Sequence, residues 1–239
     1  MKHELIQIAI DGPAGSGKTT VGQLVAARLG ITYMSTGRIF RSYAFALKDI
    51  DCSNEEIVNK EMKQFKFSFK DGSFRINDLD VTMEIMKDIH SMNASTISKY
   101  PDVRKRYEKD LKEIIKTTSL VMDGRDIGTV ILPDSPYKFF LDADVKERAK
   151  RRAKDNHIKL EGKEFDKLLE DIKARDYQDT HRKVSPLKKA KDATYIDSTK
   201  MKKEEVVDLI VDIVNRKRNV LTIKEEAVQE EKDAWKKSL

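Results

Sequence analysis

The sequence predicts an α/β fold of three layers, a parallel sheet flanked by helices on both faces. Short apolar runs alternate with stretches whose apolar residues recur at helical spacing, and a glycine-rich loop joins the first run to the first such stretch. The chain has 239 residues, 39% hydrophobic and 37% charged. That is enough for one large or two small domains and more than a disulfide-stapled mini-protein needs.

Residues 5–10 form the first apolar run, ending at Asp11 and the glycine-rich turn, after which Val21, Leu24, Val25 and Leu29 mark a helix. An extended piece at 32–34 precedes a helix over about 37–47. Between 61 and 76 the period changes to two. Phe65, Phe67 and Phe69 alternate with polar residues, Asp71 and Gly72 supply a tight turn, and Phe74 and Ile76 resume the alternation of a small hairpin. Residues 83–89 and 101–115 read as helices, the second with Pro101 in its first turn. Residues 120–122 and 137–141 are short buried strands. A basic helix over 145–157 leads through a polar tip with Gly162 to a second helix over about 165–177, a pair shaped like a movable flap. A strand at 194–197, a closing helix marked by Val206, Leu209, Ile210 and Ile213, and a charged helical tail from about 216 complete the chain.

No stretch approaches the roughly 20 apolar residues of a membrane helix, and Met1 leads into the first strand without a signal-peptide core. A cytoplasmic protein with no membrane partner is expected. The single cysteine, Cys52, cannot form an internal disulfide. The net charge is +6, and residues 145–191 alone carry +7, so the positive charge is concentrated where an anion can sit. Nucleic acid is one rival for that region, although interleaved aromatics and a nucleic-acid fold motif are both missing from it.

Gly12, Pro13, Ala14, Gly15, Ser16, Gly17, Lys18 and Thr19 fit G-x-x-x-x-G-K-[ST], between a predicted strand and a predicted helix as that motif requires. Glycines let backbone N–H groups turn toward phosphate oxygens, and the helix N-terminus adds a favourable dipole. Lys18 is expected to reach the β- and γ-phosphates of ATP, and the Thr19 hydroxyl to help hold Mg²⁺. A switch GTPase would carry an Asn-Lys-x-Asp guanine reader, and the near match Asn59-Lys60-Glu61-Met62 lacks the aspartate. A compact kinase of small molecules is left. Its acceptor, a monophosphate or a small alcohol, stays open on the loop alone.

Asp123-Gly124-Arg125-Asp126, following the strand at 120–122, resembles the bacterial cytidylate kinase family of P-loop nucleoside monophosphate kinases. Further motifs of the family occur in order: Asp11 to Thr20, Thr36-Gly37, Arg41, Ser95, Pro101 to Arg104, Gly124 to Thr129, and Arg175, Asp179 and Arg182. The similarity covers about 4–215. It implies a P-loop NTPase core over 1–215 with a small monophosphate-binding insert at about 50–92 and a helical lid at about 150–175, and leaves 216–239 as tail. It also implies transfer of the γ-phosphoryl of ATP to CMP or dCMP, with Mg²⁺, by a monomer that binds no nucleic acid.

On that resemblance Arg41, Arg125 and Arg182 clamp the acceptor phosphate, for which guanidinium forks are suited. Asp126 and Arg104 read the cytosine amine and its acceptor atoms, with Ser95 adding a hydroxyl. Asp179, Arg175 and Thr36 surround the sugar. Arg175 and Asp179, four apart, also fit a surface ion pair. Arg148, Arg151 and Arg152 lie on the basic helix, where either a flap over the triphosphate or a solvated face accounts for them, with Arg152 taken as the acting residue. Asp123 fits an outer Mg²⁺ ligand or a turn aspartate. No general base is required, because the acceptor is an ionised phosphate oxygen and the transition state is loose. Three positions depart from the family pattern. Ser35 stands where it has Asp, Arg38 where it has a small residue, and Phe40 where it has Tyr.

Overall fold

The computed structural model describes residues 5–70 and 72–237, and the side chains of these apart from 88 and 222–237. Five strands form the central sheet: β1 (Gln7–Asp11), β2 (Thr32–Ser35), β6 (Leu120–Gly124), β7 (Tyr137–Asp142) and β8 (Thr194–Asp197). Their order is β2-β6-β1-β7-β8 and every pairing is parallel, so β1 is hydrogen-bonded on both edges. A strand so placed has no solvated edge. Its Ile8, Ala9 and Ile10 are fully buried.

Side chains alternate across the sheet and divide the core in two. Ile8, Ile10 and Val121 face Val21 and Val25 of α1 (Lys18–Leu29) and Val206, Ile210 and Val214 of α8 (Lys203–Lys237). Ala9, Leu120 and Met122 face Ile39 and Tyr43 of α2 (Thr36–Ala46) and Val103 and Tyr107 of α5 (Pro101–Ile115). Each fully buried branched side chain contributes about 1.5–3 kcal/mol, so these two layers supply the rigidity on which the loops rest. In register, Asp11 lies opposite Gly124 and Ser35 opposite Asp123, which lines up the carboxyl ends of β1, β2 and β6. The loops leaving those ends carry the glycine-rich motif after Asp11 and the Arg125-Asp126 motif after Gly124.

The insert contains α3 (Glu55–Glu61), capped by Asn54, and a three-stranded antiparallel sheet, β3 (Phe67–Lys70), β4 (Ser73–Ile76) and β5 (Leu79–Asp80). Asp71 of the predicted turn lies outside the described residues. The third strand was not expected; Asn77 and Asp78, with φ of 48° and 65°, make the tight turn that returns it. Residues 83–89 are not one helix. They form two short 3-10 turns, Glu84–Met86 and Asp88–His90, before α4 (Ser91–Ile97). Ile85 is buried, but Met83, Met86 and Ile89 are exposed, so the apolar spacing has no core to pack against.

The flap consists of α6 (Val145–Asp155), capped by Asp144, and α7 (Lys163–His181), which pack on each other. The predicted closing helix and the expected tail are one element: α8 runs on past 216, where Lys217 Nζ donates to Pro136 O and Leu221 packs on the core.

Candidate functional site

The loop between β1 and α1 is shaped by glycine. Gly12 has φ 154°, and a Cβ there would stand 2.0 Å from the Leu141 carbonyl oxygen; Gly15 has φ 76°, and a Cβ would meet Arg148 at 3.2 Å. The first turn of α1 has no side-chain cap and no acidic residue, so its amides are available to an anion. Lys18 folds back over this loop, its Nζ donating to Pro13 O at 2.7 Å and Ser16 Oγ at 3.3 Å. Burial, and then the charge of Arg125, hold its pKa well below the ordinary lysine value, with Asp123, Asp11 and Asp179 partly offsetting them.

The three flap arginines have separate fates. Arg148 is buried and tied to the phosphate loop: Nη1 donates to Ala14 O at 2.8 Å, Nε to Ala143 O at 2.9 Å, and Nη2 pairs with Asp176 at 2.7 Å. Asp176, on α7, also accepts from Ala14 N at 3.4 Å. Arg151 donates to Ser198 Oγ and O at 3.0 and 2.6 Å. Arg152 is exposed and, among the described residues, its guanidinium makes no hydrogen bond or ion pair; its charge is felt at Arg175.

At the end of β6, Asp123 is buried with both oxygens engaged: Oδ2 accepts from Thr19 Oγ1 at 3.0 Å and Oδ1 from Tyr33 OH at 2.6 Å. A carboxylate and a hydroxyl that meet beside a phosphate loop are the hard oxygen donors Mg²⁺ takes, one or two from protein and the rest from phosphate and water. Among the described residues no cluster of three or more His, Cys, Asp or Glu forms a self-sufficient metal cage. Two protein donors of this kind leave the remaining places around such an ion to phosphate and water. Arg38, one of the departures, lies over the Tyr33 ring at 5.7 Å and so stands on this side of the site.

Beyond β6 the chain turns through Arg125 and Asp126 into a single π-helical turn, Ile127–Ile131. Asp126 and Arg104 form a buried ion pair, their side chains 6% and 3% exposed, and Arg182 Nη2 approaches the other Asp126 oxygen at 3.7 Å. Arg125 Nε pairs with Asp179 at 2.7 Å. Arg104 also lies 5.9 Å from the ring centres of Phe40 and Tyr107, which stack on each other at 4.8 Å. Phe40 thus forms part of the floor beneath the guanidinium. Among the described residues Arg104 Nε and the Tyr107 hydroxyl are buried without a hydrogen-bond partner, an unmet polar demand beside Asp126. Burial lowers the pKa of Arg182, opposed by Asp126, and burial with the charge of Arg125 lowers that of Arg175.

Lys18, Asp123, Arg125, Asp179, Arg175, Arg152, Arg182, Asp126 and Arg104 therefore share one electrostatic neighbourhood. Thr36 joins them through packing, its Cγ2 3.1 Å from where a Gly124 Cβ would stand. Arg41, half-buried on α2, is placed near His90. Ser95 is exposed on α4, and the contact from that segment to Arg104 comes from the Ser98 carbonyl, at 3.3 Å from Nη1. Tyr33, Tyr107 and Asp176 escaped sequence reasoning, and Asp11, which stands in the family motif, was given no role of its own. Only Asp11 carried a local signal, as a carboxylate closing an apolar strand immediately before the glycines.

The family model described as cytidylate kinase matches residues 8–216. Cytidylate kinase of Thermosipho melanesiensis is 43% identical over 211 residues, covering 88% of this chain and 97% of the relative. That of Streptococcus equi subsp. zooepidemicus is 44% identical over 212 residues, covering 86% and 94%. That of Acholeplasma laidlawii is 38% identical over 216 residues, covering 90% and 97%.

Proposed function

Because the chain belongs to the cytidylate kinase family, and so transfers the γ-phosphoryl group of ATP to CMP, we propose that two adjoining sub-sites divide the work as follows. Backbone amides of Gly12 to Thr20 hold the donor triphosphate, and Lys18 leaves Pro13 O to meet it. A polyanion beside a desolvated ammonium favours its charged form, so ATP restores the charge that burial opposes. Thr19 and Asp123 would hold Mg²⁺, which would neutralise charge on the phosphates. Arg152, on the flap, turns toward the transferring group, and Arg148 with Asp176 anchors that flap to Ala14.

The acceptor's phosphate is taken by Arg41, Arg125 and Arg182, and its sugar by Thr36, Arg175 and Asp179. Its base sits against Arg104, Asp126 and Ser95, with Asp126 accepting from the cytosine amine. The acceptor oxygen is already ionised, so no side chain has to take a proton. Positioning and charge neutralisation lower the barrier of a loose transition state. dCMP serves as well as CMP in kind, since the base and phosphate contacts are common to both. The protein acts as a monomer in the cytoplasm.

The buried Arg104–Asp126 pair supports this reading most directly, because a carboxylate held in place by an arginine meets a base with both a donor and acceptors. Uracil would set a carbonyl oxygen against a carboxylate oxygen of Asp126, acceptor facing acceptor with no proton between them. The test is ADP release measured side by side with CMP, dCMP, UMP, AMP and shikimate. Turnover is expected with the two cytosine nucleotides and at least about 100-fold lower kcat/KM with UMP; equal rates on CMP and UMP would remove Asp126 as reader.

A further inference from the structure

We infer that Asp11 is a positioning residue for the acceptor, a clamp that fixes Arg125 and Asp126 relative to the phosphate loop. It stands at the last position of β1, opposite Gly124 on one side and Phe140 on the other. The residue is 3% exposed, and its carboxylate divides its two oxygens between two backbone donors, Ile127 N at 2.8 Å and Gly128 N at 2.7 Å. These are the first two amides of the π-helical turn. The turn's own hydrogen bonds begin later, with Val130 N to Asp126 O at 2.9 Å and Leu132 N to Ile127 O at 2.7 Å, so no backbone acceptor within the turn serves Ile127 and Gly128. Both residues are buried, and without Asp11 both donors would be left without a partner.

The clamp closes a short arch. Gly124 is held at its start by sheet pairing with Asp11 itself, and Ile127 and Gly128 at its end by the Asp11 side chain, with Arg125 and Asp126 between. The next residue along β1 is Gly12, the first of the phosphate loop. One residue therefore sets the distance between the donor cradle and the two side chains assigned to the acceptor's phosphate and base. Its chemistry suits the task, since an ionised carboxylate holding two amides makes two charge-assisted bonds in a fixed plane. Asn keeps the shape but sets an NH₂ group against one of the two donors.

The inference rests on the assignment of Arg125 and Asp126 to the acceptor, and the experiment separates the two. In the full-length protein, Asp11→Asn is expected to raise KM for CMP about tenfold or more while the Kd for ATP, measured without acceptor, stays within about twofold. Asp126→Ala is measured in parallel. If Asp126→Ala leaves KM for CMP unchanged, the acceptor assignment fails; if it raises KM but Asp11→Asn does not, the clamp alone fails. A parallel rise in KM for CMP and Kd for ATP would mean a purely structural carboxylate and would also overturn it. Should Asp11→Asn not fold, amide hydrogen exchange of the unaltered protein decides. Ile127 and Gly128 N–H are expected to be as protected as the β6 amides, and exchange at the rate of an open loop would sink the clamp.

Discussion

The donor cradle and the acceptor pocket are built by opposite means. The cradle is one uninterrupted peptide segment, Gly12 to Thr20, whose ligand groups are backbone amides and whose shape follows from glycines at φ values other residues avoid. The proposed acceptor pocket draws its side chains from α2, α4, α5, the arch after β6, and α7. Two of its cations are already paired from within, Arg104 with Asp126 and Arg125 with Asp179. A backbone site needs only local conformation to be correct, so it tolerates change elsewhere. A side-chain site of paired charges needs the whole core in register, and loss of one partner leaves the other buried and uncompensated.

The sharpest way to break this contrast is at Lys18. If the cradle acts on its own, Lys18→Ala should lower kcat about 10²- to 10³-fold, the scale of one lost electrostatic contact to the reacting group, with KM for CMP within about threefold. Steady-state kinetics at saturating ATP would show it. A rise in KM for CMP as large as the fall in kcat would mean the two regions are not separable.

The second test strikes the acceptor side. Arg104→Ala and Asp126→Ala should each destabilise the protein by about 3–5 kcal/mol, because each leaves a buried charge without its partner. The double variant should cost less than the sum. Urea denaturation of the four proteins measures the coupling, and simple additivity would deny that the pair acts as a unit.

A third comparison runs within the flap. Arg148→Ala removes an ion pair and two carbonyl contacts in a buried setting and should lower Tm by several degrees, whereas exposed Arg152→Ala should leave Tm within about 1 °C. Arg152→Ala should instead lower kcat by about 10- to 100-fold if it meets the transferring group. The reverse pattern would exchange their roles.

The same contrast explains what could be read in advance. The parallel sheet followed from apolar runs and helical spacing, the helix Pro101–Ile115 from its proline and periodicity, and the cradle from eight consecutive residues. The stretch 83–89 misled because Met83, Met86 and Ile89 have helical spacing but face solvent, and spacing alone does not say whether a core lies opposite. Arg148 could not be told from Arg151 and Arg152, since only tertiary structure brings Ala14 and Asp176 to it. Tyr33 and Tyr107 carry no local signature either; the Tyr33 hydroxyl gains its role from Asp123, 90 residues away, and the Tyr107 ring from the arginine above it.

The smallest expected effect tests where the two regions join. Burial pushes the Asp11 carboxyl up to about 6, against the lowering pull of the Gly128 and Ile127 amides, with Asp126 adding to the rise and Lys18 opposing it. Its ordinary value is 3.8. Between these the folded state keeps a proton that the unfolded chain has released, so stability from this group is present below about pH 4 and declines as pH rises through about 6. Asp11→Asn has no such titration. The Tm difference between unaltered protein and variant should therefore shift against the unaltered protein by a few °C between about pH 4 and 7, a change on the order of 1 kcal/mol. Thermal unfolding of both proteins at several pH values measures it. A shift in the other direction would mean the two amides outweigh burial, and that the junction between cradle and pocket favours its charge at every pH.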